Sequence, residues 1–264
     1  MAGQLLIDEP LEGVRRLTIS NAAKRNALDH AILDGIATAV READGDGRTR
    51  AIVLTGAHEM FSSGYDIGDI PDDVFAREAE KLVAHPFTSA IDALDATDVA
   101  TIAALPGHTI GGGLELALAC DLRVARDGIK LGMPPAKLGL VYSHTGLRRF
   151  LDAIGEPRTR QLFLLGRNIS AREAKTWGLV HEVAGAEDLQ GFALDWAAEL
   201  AANAPLSVRG NKRVLRALLA AEAALEPAVE AELIALRKAC FASADLAEGV
   251  RAFAEKRPAR WQGR

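Results

Sequence analysis

Three consecutive glycines, Gly111-Gly112-Gly113, run straight into the apolar stretch Leu114-Glu115-Leu116-Ala117-Leu118. Glycine loses more conformational freedom on folding than other residues, so such a run marks a place where bare backbone is needed. Two readings fit it. Peptide N–H groups at the start of a helix can face a ligand that carries negative charge, with Glu115 close by in the first turn. Alternatively, the run is a tight strand-to-helix packing turn, with an acidic residue complementing the helix dipole. The spacing is neither G-x-G-x-x-G nor a glycine loop closed by Lys-Ser/Thr, which weakens any nucleotide-loop reading. A second turn of small residues, Phe61-Ser62-Ser63-Gly64-Tyr65-Asp66-Ile67, follows the apolar run Ala51–Thr55. It falls at the end of an expected strand, where open α/β sheets bind ligands, although alone it is an ordinary polar loop. Two N–H-bearing turns after two strands make a layout in which donors converge on one oxygen, as in an oxyanion hole. Tyr142 lies just ahead of the helix-start pattern Gly146-Leu147-Arg148-Arg149-Phe150 and could serve a site or pack in a turn. His144 has no partner at nucleophile spacing and reads as structural or solvated. His108 reads as a hydrogen-bonded loop residue and Asp121 as a turn or cap.

The elements that would position these residues alternate between two periods. Short β-like runs occupy Arg16–Ser20, Ala51–Thr55, Thr101–Leu105, Leu122–Ala125, Ile129–Gly132 and Leu179–Val183, closed by Gly, Pro or Asn as buried strands usually are. Helical stretches cover Asp29–Arg41, Asp73–Leu94 with a break at Pro86, and a short segment from Leu114. Alternation of this kind predicts an α/β architecture with mostly parallel pairing. After a capping box at Ser170-Ala171-Arg172-Glu173 the chain turns largely helical, through Glu187–Asn203, Pro205–Ala220, Pro227–Ala242 and Asp245–Lys256. Pro205 and Pro227 fall near helix starts, where proline is tolerated. The reading is a core over residues 1–200 and a helical region over 201–264, the latter packing on a partner subunit or on the chain's own sheet. Cys120 and Cys240 stand alone, without CxxC or Cys/His spacing, which excludes a disulfide scaffold and a cysteine zinc site. The net charge of −5 offers no footprint for nucleic acid. The first residues do not read as a targeting peptide, and no uncharged apolar run approaches the ~20 residues of a membrane helix. A soluble, cytoplasmic protein is expected.

Several segments, in order along the chain, resemble the enoyl-CoA hydratase/isomerase (crotonase) superfamily. They are Lys24-Arg25-Asn26-Ala27-Leu28, Phe61 to Ile67, Gly111 to Leu116 with Cys120-Asp121, Ile169-Ser170-Ala171-Arg172-Glu173-Ala174, and Trp177-Gly178-Leu179-Val180. The resemblance runs from about residue 12 to the C-terminus. It implies an α/β, ClpP-like fold, a spiral core of repeated ββα units with a C-terminal helical region that builds trimers, often paired into hexamers. It implies an acyl-CoA thioester as substrate and no cofactor beyond the coenzyme A that the substrate carries, while composition and charge point to no metal, nucleic acid or membrane partner. The two backbone N–H groups that hold the thioester oxygen match Ser63 and Gly112. Lys24 and Arg25 match positions near the CoA phosphates, and Asp66 and Ile67 lie in the loop bordering adenine and pantetheine. Phe253 and Lys256 match C-terminal positions that reach a CoA site, often a neighbouring subunit's. Ala27, Tyr65, Gly111 and Pro135 complete the expected substrate and CoA contacts.

The pattern breaks at one place. Family hydratases use two glutamates, one matching Glu115 and the other following a Gly-x-Pro-Glu stretch that here reads Gly132-Met133-Pro134-Pro135. Proline has no acid or base to offer, and general acid–base catalysis typically contributes about 10²–10⁴-fold, so two-carboxylate hydration and the related isomerisations are disfavoured. The continuation Lys137-Leu138-Gly139-Leu140-Val141-Tyr142 resembles the methylmalonyl-CoA decarboxylase branch, in which a tyrosine at the Tyr142 position contacts the substrate carboxylate. That branch has histidine where this chain has Tyr65. The expectation is decarboxylation of a malonyl-type thioester, with the enolate held by Ser63 and Gly112 and with Glu115 orienting the substrate or shuttling a proton. The alternatives are a hydratase or isomerase using Glu115 alone, and a non-catalytic CoA- or RNA-binding member.

Overall fold

A computed structural model of the protein describes residues 3–66, 83–223 and 225–262. Ten strands are described among these residues, namely β1 (Gln4–Leu11), β2 (Val14–Ser20), β3 (Ala51–Gly56), β4 (Met60–Ser62), β5 (Ala100–Leu105), β6 (His108–Ile110), β7 (Leu122–Arg126), β8 (Lys130–Gly132), β9 (Ile169–Ser170) and β10 (Glu182–Ala184). The larger sheet has the order β1-β2-β3-β5-β7-β10 and the smaller β4-β6-β8-β9. All neighbours pair parallel except β1 with β2 and β8 with β9. Successive strands thus feed the two sheets alternately, β3 then β4, β5 then β6, β7 then β8. A helix follows the second and third pair: α3 (Gly112–Leu118) after β6 and α4 (Pro135–Leu138) after β8. This is the repeated strand–strand–helix spiral that the resemblance implies.

Every residue of β3 (AIVLTG) and β5 (ATIAAL) is buried, as near-continuous apolar runs require when both faces of a parallel sheet are covered. The alternation of side chains divides them between two cores. Ile52, Leu54, Ala103 and Leu105 join the core with α1 (His30–Gly45) and α2 (Thr88–Ala96). Val53, Ile102 and Ala104 join the one with Ala193 and Ala197 of α7 (Leu189–Ala202). The Asp29 side chain caps α1 by accepting from Ile32 N at 2.9 Å. The expected capping box is present at the start of α6 (Ala171–Trp177).

Three features differ from the expectations. The strand placed at Leu179–Val183 begins only at Glu182, because Gly178 caps α6 with a φ of 84°. Leu179 N and Val180 N are then spent on the Ala174 carbonyl, at 2.9 and 3.3 Å. Of the helix expected over Asp73–Leu94, residues 73–82 lie outside the described residues. The rest is a π-helical turn at Val83–Phe87, which contains Pro86, and α2. The pattern at Gly146 opens a 22-residue helix, α5 (His144–Leu165), bent at Gly155 ahead of Pro157.

The C-terminal helices are α8 (Pro205–Ala223), α9 (Pro227–Phe241) and α10 (Ala244–Ala254). Both prolines stand at the first helical position. Helix α8 is fastened to the core by one stripe of cations: Arg209 to Asp44, Lys212 to Asp121 (2.8 Å), and both Arg213 and Arg216 to Asp98. Its apolar residues Leu206, Val214, Leu215, Leu218 and Leu219 are exposed. Among the described residues no helix is long and apolar enough to cross a membrane.

Candidate functional site

Two turns from different sheet repeats meet at backbone level. Gly64, at the exit of β4, has a φ of +100°, and a Cβ there would lie 3.1 Å from Ile110 O and 3.5 Å from Gly112 N. Only glycine allows both that conformation and that approach. The turn is fixed from the N-terminal side. Leu28 N donates to Gly64 O at 2.8 Å, and Asp66 N donates to Leu28 O at 3.0 Å. The buried Asn26 side chain accepts from Asn21 N and donates to Ala57 O and Met60 O. This clamp decides which N–H groups are free. Ser63 N donates to Arg25 O at 3.1 Å, and Ser63 Oγ donates to Lys24 O. The Ser63 N–H expected to hold an oxygen is therefore committed to the protein's own backbone. On the far side of Gly64, Tyr65 N donates to no acceptor among the described residues, and neither does Gly112 N at the start of α3. The two N–H groups left without an acceptor among the described residues are those of Tyr65 and Gly112.

Each glycine of the triplet has its own reason. Gly111 turns the chain with a φ of 57°, donates to Gly132 O at 2.9 Å, and its carbonyl accepts from Leu114 N and Glu115 N. A Cβ on Gly112 would sit 2.5 Å from Tyr65 Cε1, and one on Gly113 would sit 2.6 Å from Ser62 Cβ. The packing reading of the triplet thus holds, and the same packing presents the Gly112 N–H beside Tyr65.

Behind these donors lies a short buried chain of acidic groups. Glu115, on the first turns of α3, is 4% exposed, and Tyr142, in the loop between α4 and α5, is 8% exposed. Tyr142 Oη donates to Glu115 Oε2 at 2.5 Å, and Tyr65 Oη lies 3.4 Å from Tyr142 Oη. Space for this chain comes from Gly146 in the first turn of α5, where a Cβ would meet Tyr142 Cε1 at 2.6 Å and Glu115 Oε1 at 2.9 Å. The phenol rings are held edge-on, Tyr65 by Phe87 and Tyr142 by Phe163. Burial pushes the Glu115 carboxyl above the ordinary carboxylate range, opposed by the Tyr142 hydrogen bond and the charge of Arg149. Burial, then the charge of Glu115, pushes both phenols up as well. All three acidic groups are thus biased toward their protonated forms.

The remaining expected residues fall in three groups. Lys24 pairs with Asp66 at 2.8 Å, Arg25 is exposed in a left-handed conformation, and the adjoining Ala27 is buried. Pro135 is buried at the first position of α4, so no carboxylate stands there. Ile67 lies outside the described residues. Phe253 and Lys256 are exposed at the end of α10, and neither has a hydrogen bond or ion pair to the Glu115 cluster among the described residues. His144 pairs with Glu230 at 3.5 Å, His108 Nδ1 accepts from Lys130 N, and Asp121 Oδ2 accepts from both Thr101 N and Thr101 Oγ1, as structural roles require. Gly146 and Arg149 also belong to this neighbourhood, although the sequence around them signals only a helix start; it is the start of α5 at His144 that turns both toward Tyr142 and Glu115.

The family model for enoyl-CoA hydratase/isomerase matches residues 9–264. The chain belongs to this family. It is similar to the Mycobacterium tuberculosis protein named "Probable enoyl-CoA hydratase echA8", with 32% identity over 260 residues and 97% of each chain covered. It is also similar to 2,3-dehydroadipyl-CoA hydratase of Escherichia coli, with 30% identity over 261 residues, 98% of this chain and 99% of the relative. A solved methylmalonyl-CoA decarboxylase superposes with a TM-score of 0.89 at 24% identity over 99% of both chains, a likeness of fold. This family member carries one buried carboxyl, two phenols and two free N–H groups in one place.

Proposed function

We propose that this acyl-CoA enzyme decarboxylates a malonyl-type CoA thioester. The observation that carries the reading is the buried Tyr142–Glu115 pair, in a site where Pro135 stands in place of the second carboxylate that hydration uses. The Tyr65 and Gly112 N–H groups receive the thioester oxygen, because the Ser63 N–H is bonded to Arg25 O. As the bond between the α-carbon and the carboxylate breaks, its electron pair moves into the carbonyl, releasing CO₂ and leaving an enolate on those donors. Losing one such donor costs about 3–4 kcal/mol of transition-state stabilisation. Without substrate Tyr142 donates to Glu115 Oε2; because burial pushes Glu115 toward its neutral form, substrate binding reverses the pair, with Glu115 then donating to the Tyr142 oxygen and the Tyr142 hydrogen turning to the substrate carboxylate. After CO₂ leaves, the α-carbon takes that hydrogen, Tyr142 is reprotonated by Glu115, and Glu115 recovers its proton from solvent.

The exposed apolar stripe on α8 supports assembly into a trimer or a dimer of trimers through the 201–264 region. Phe253 and Lys256 would then reach a neighbouring subunit's CoA, and Lys24, Arg25 and Asp66 would border the subunit's own. A hydratase or isomerase using Glu115 alone is the second reading, favoured by the names of the relatives above. Incubation with methylmalonyl-, malonyl- and crotonyl-CoA, followed by the thioester masses, separates the two. Loss of CO₂ from a malonyl-type thioester supports the proposal, and hydration of crotonyl-CoA with both diacids untouched refutes it.

A further inference from the structure

The reaction scheme uses the backbone of Tyr65 and leaves its hydroxyl without a task. The residue is fixed from two sides. Its main chain bridges to Leu28, which donates to Gly64 O at 2.8 Å and accepts from Asp66 N at 3.0 Å. Its ring runs along the bare Cα of Gly112, where a Cβ would lie 2.5 Å from Cε1 and 2.9 Å from Cζ. Phe87 meets the same ring edge-on, with centroids 4.8 Å apart. A phenylalanine would fill this space equally well, so the packing does not explain the hydroxyl. Among the described residues its one hydrogen-bond contact is Tyr142 Oη at 3.4 Å, longer than the roughly 2.5–3.0 Å of an ordinary O–H···O bond. Tyr142 meanwhile spends its own hydrogen on Glu115 Oε2 at 2.5 Å. A hydroxyl served only by so long a contact is short of a partner, and a buried hydrogen bond left unmade costs about 1–3 kcal/mol.

Two hydroxyls held 3.4 Å apart can each reach a different oxygen of one carboxylate at the charge-assisted distance of about 2.5–2.7 Å. The Tyr65 and Gly112 N–H groups mark the thioester end of the pocket, and the Tyr65 ring runs from there to Tyr142. One residue therefore reaches both ends of a short acyl group, with its N–H at the thioester oxygen and its hydroxyl beside Tyr142. We infer that the Tyr65 hydroxyl is a second donor to a carboxylate on the acyl group, so that the paired phenols select carboxyacyl-CoA thioesters over neutral thioesters of similar length. The inference rests on the malonyl-type reading above and extends it from the reaction to recognition.

The test is binding without turnover. Sulfoacetyl-CoA places a sulfonate that does not leave where malonyl-CoA has its carboxylate, and butyryl-CoA is a neutral counterpart. Dissociation constants for both are measured on the wild type and Tyr65→Phe, which keeps the ring and the backbone N–H. Loss of a hydrogen bond to a charged group predicts that Tyr65→Phe weakens sulfoacetyl-CoA about tenfold to a hundredfold. Butyryl-CoA should bind nearly as it does to the wild type, which also reports that the pocket is intact. Equal weakening of both thioesters would assign the hydroxyl to the shape of the pocket and overturn the inference, as would no change in either. A wild type that binds sulfoacetyl-CoA no more tightly than butyryl-CoA would overturn it as well. If the wild type releases no CO₂ from methylmalonyl-CoA while Tyr65→Phe selectively loses sulfoacetyl-CoA, the proposed reaction fails and the recognition stands. CO₂ release without that selective loss sinks the recognition alone.

Discussion

Replacing Tyr142 with phenylalanine removes one oxygen, and the consequence can be worked from the 2.5 Å hydrogen bond to Glu115 Oε2. The aromatic ring keeps its place against Phe163, so the change falls on the buried Glu115 acceptor and on the Tyr65 hydroxyl 3.4 Å away. A hydrogen bond to a charged group is worth about 1.5–3 kcal/mol, and leaving a buried charge unpaired costs at least that. Because a pKa shift is a free-energy difference between the two protonation states, losing this hydrogen bond should raise the Glu115 carboxyl further. Glu115 is already raised above its ordinary value of 4.5. A group raised on folding contributes stability that is fully present below its unfolded pKa and is lost as pH climbs through the folded pKa. In Tyr142→Phe that loss continues to higher pH. The two proteins should therefore follow parallel stability curves below about pH 4.5, separate above the wild-type Glu115 pKa, and differ by about 2–3 kcal/mol at the alkaline plateau. Urea unfolding at intervals from pH 4 to pH 9 measures the curves. A deficit independent of pH, or one that grows as pH falls, would refute the coupling of Tyr142 to an ionisable Glu115.

Three further perturbations probe the framework. Gly112→Ala would drive its Cβ into the Tyr65 ring, which Phe87 holds in place. It should cost about 1–3 kcal/mol in thermal or urea unfolding and lower kcat more than it raises KM. Gly146→Ala should destabilise, although alanine is favoured over glycine by roughly 1 kcal/mol inside helices, because its Cβ would strike Tyr142 and Glu115; a gain in melting temperature would contradict the packing described. Asp98→Asn removes the carboxylate shared by Arg213 and Arg216. Hydrogen exchange in α8 should then speed up while that in α7 stays unchanged, and equal rates in both helices would show that α8 is not held by this stripe.

How far these features can be read from the chain depends on their range. β3 and β5 are legible because burial on both faces leaves uninterrupted apolar runs. β4, β6 and β9 have only three, three and two residues, too few for any period to register. β1 is an edge strand whose residues are mostly exposed, so its sequence lacks the alternation of a half-buried strand. The glycine triplet and the Gly64 turn announce a meeting of backbones, but they do not reveal which N–H groups stay free. That depends on the Arg25 carbonyl, which arrives from a distant segment to take the Ser63 N–H. Glu115 and Tyr142 are each conspicuous in the sequence. Their hydrogen bond is not, because it needs the bare Cα of Gly146 on a helix start that brings the two segments together.

The central claim is that the Tyr65 and Gly112 N–H groups hold an enolate formed by loss of CO₂, which is then protonated at carbon. The deuterium content of the acyl product after incubation of methylmalonyl-CoA with the protein in D₂O tests this most directly. The account predicts CO₂ release and propionyl-CoA carrying one solvent deuteron on its α-carbon, formed much more slowly by Tyr142→Phe. Methylmalonyl-CoA recovered intact, under conditions where the same preparation adds water to crotonyl-CoA, would contradict it.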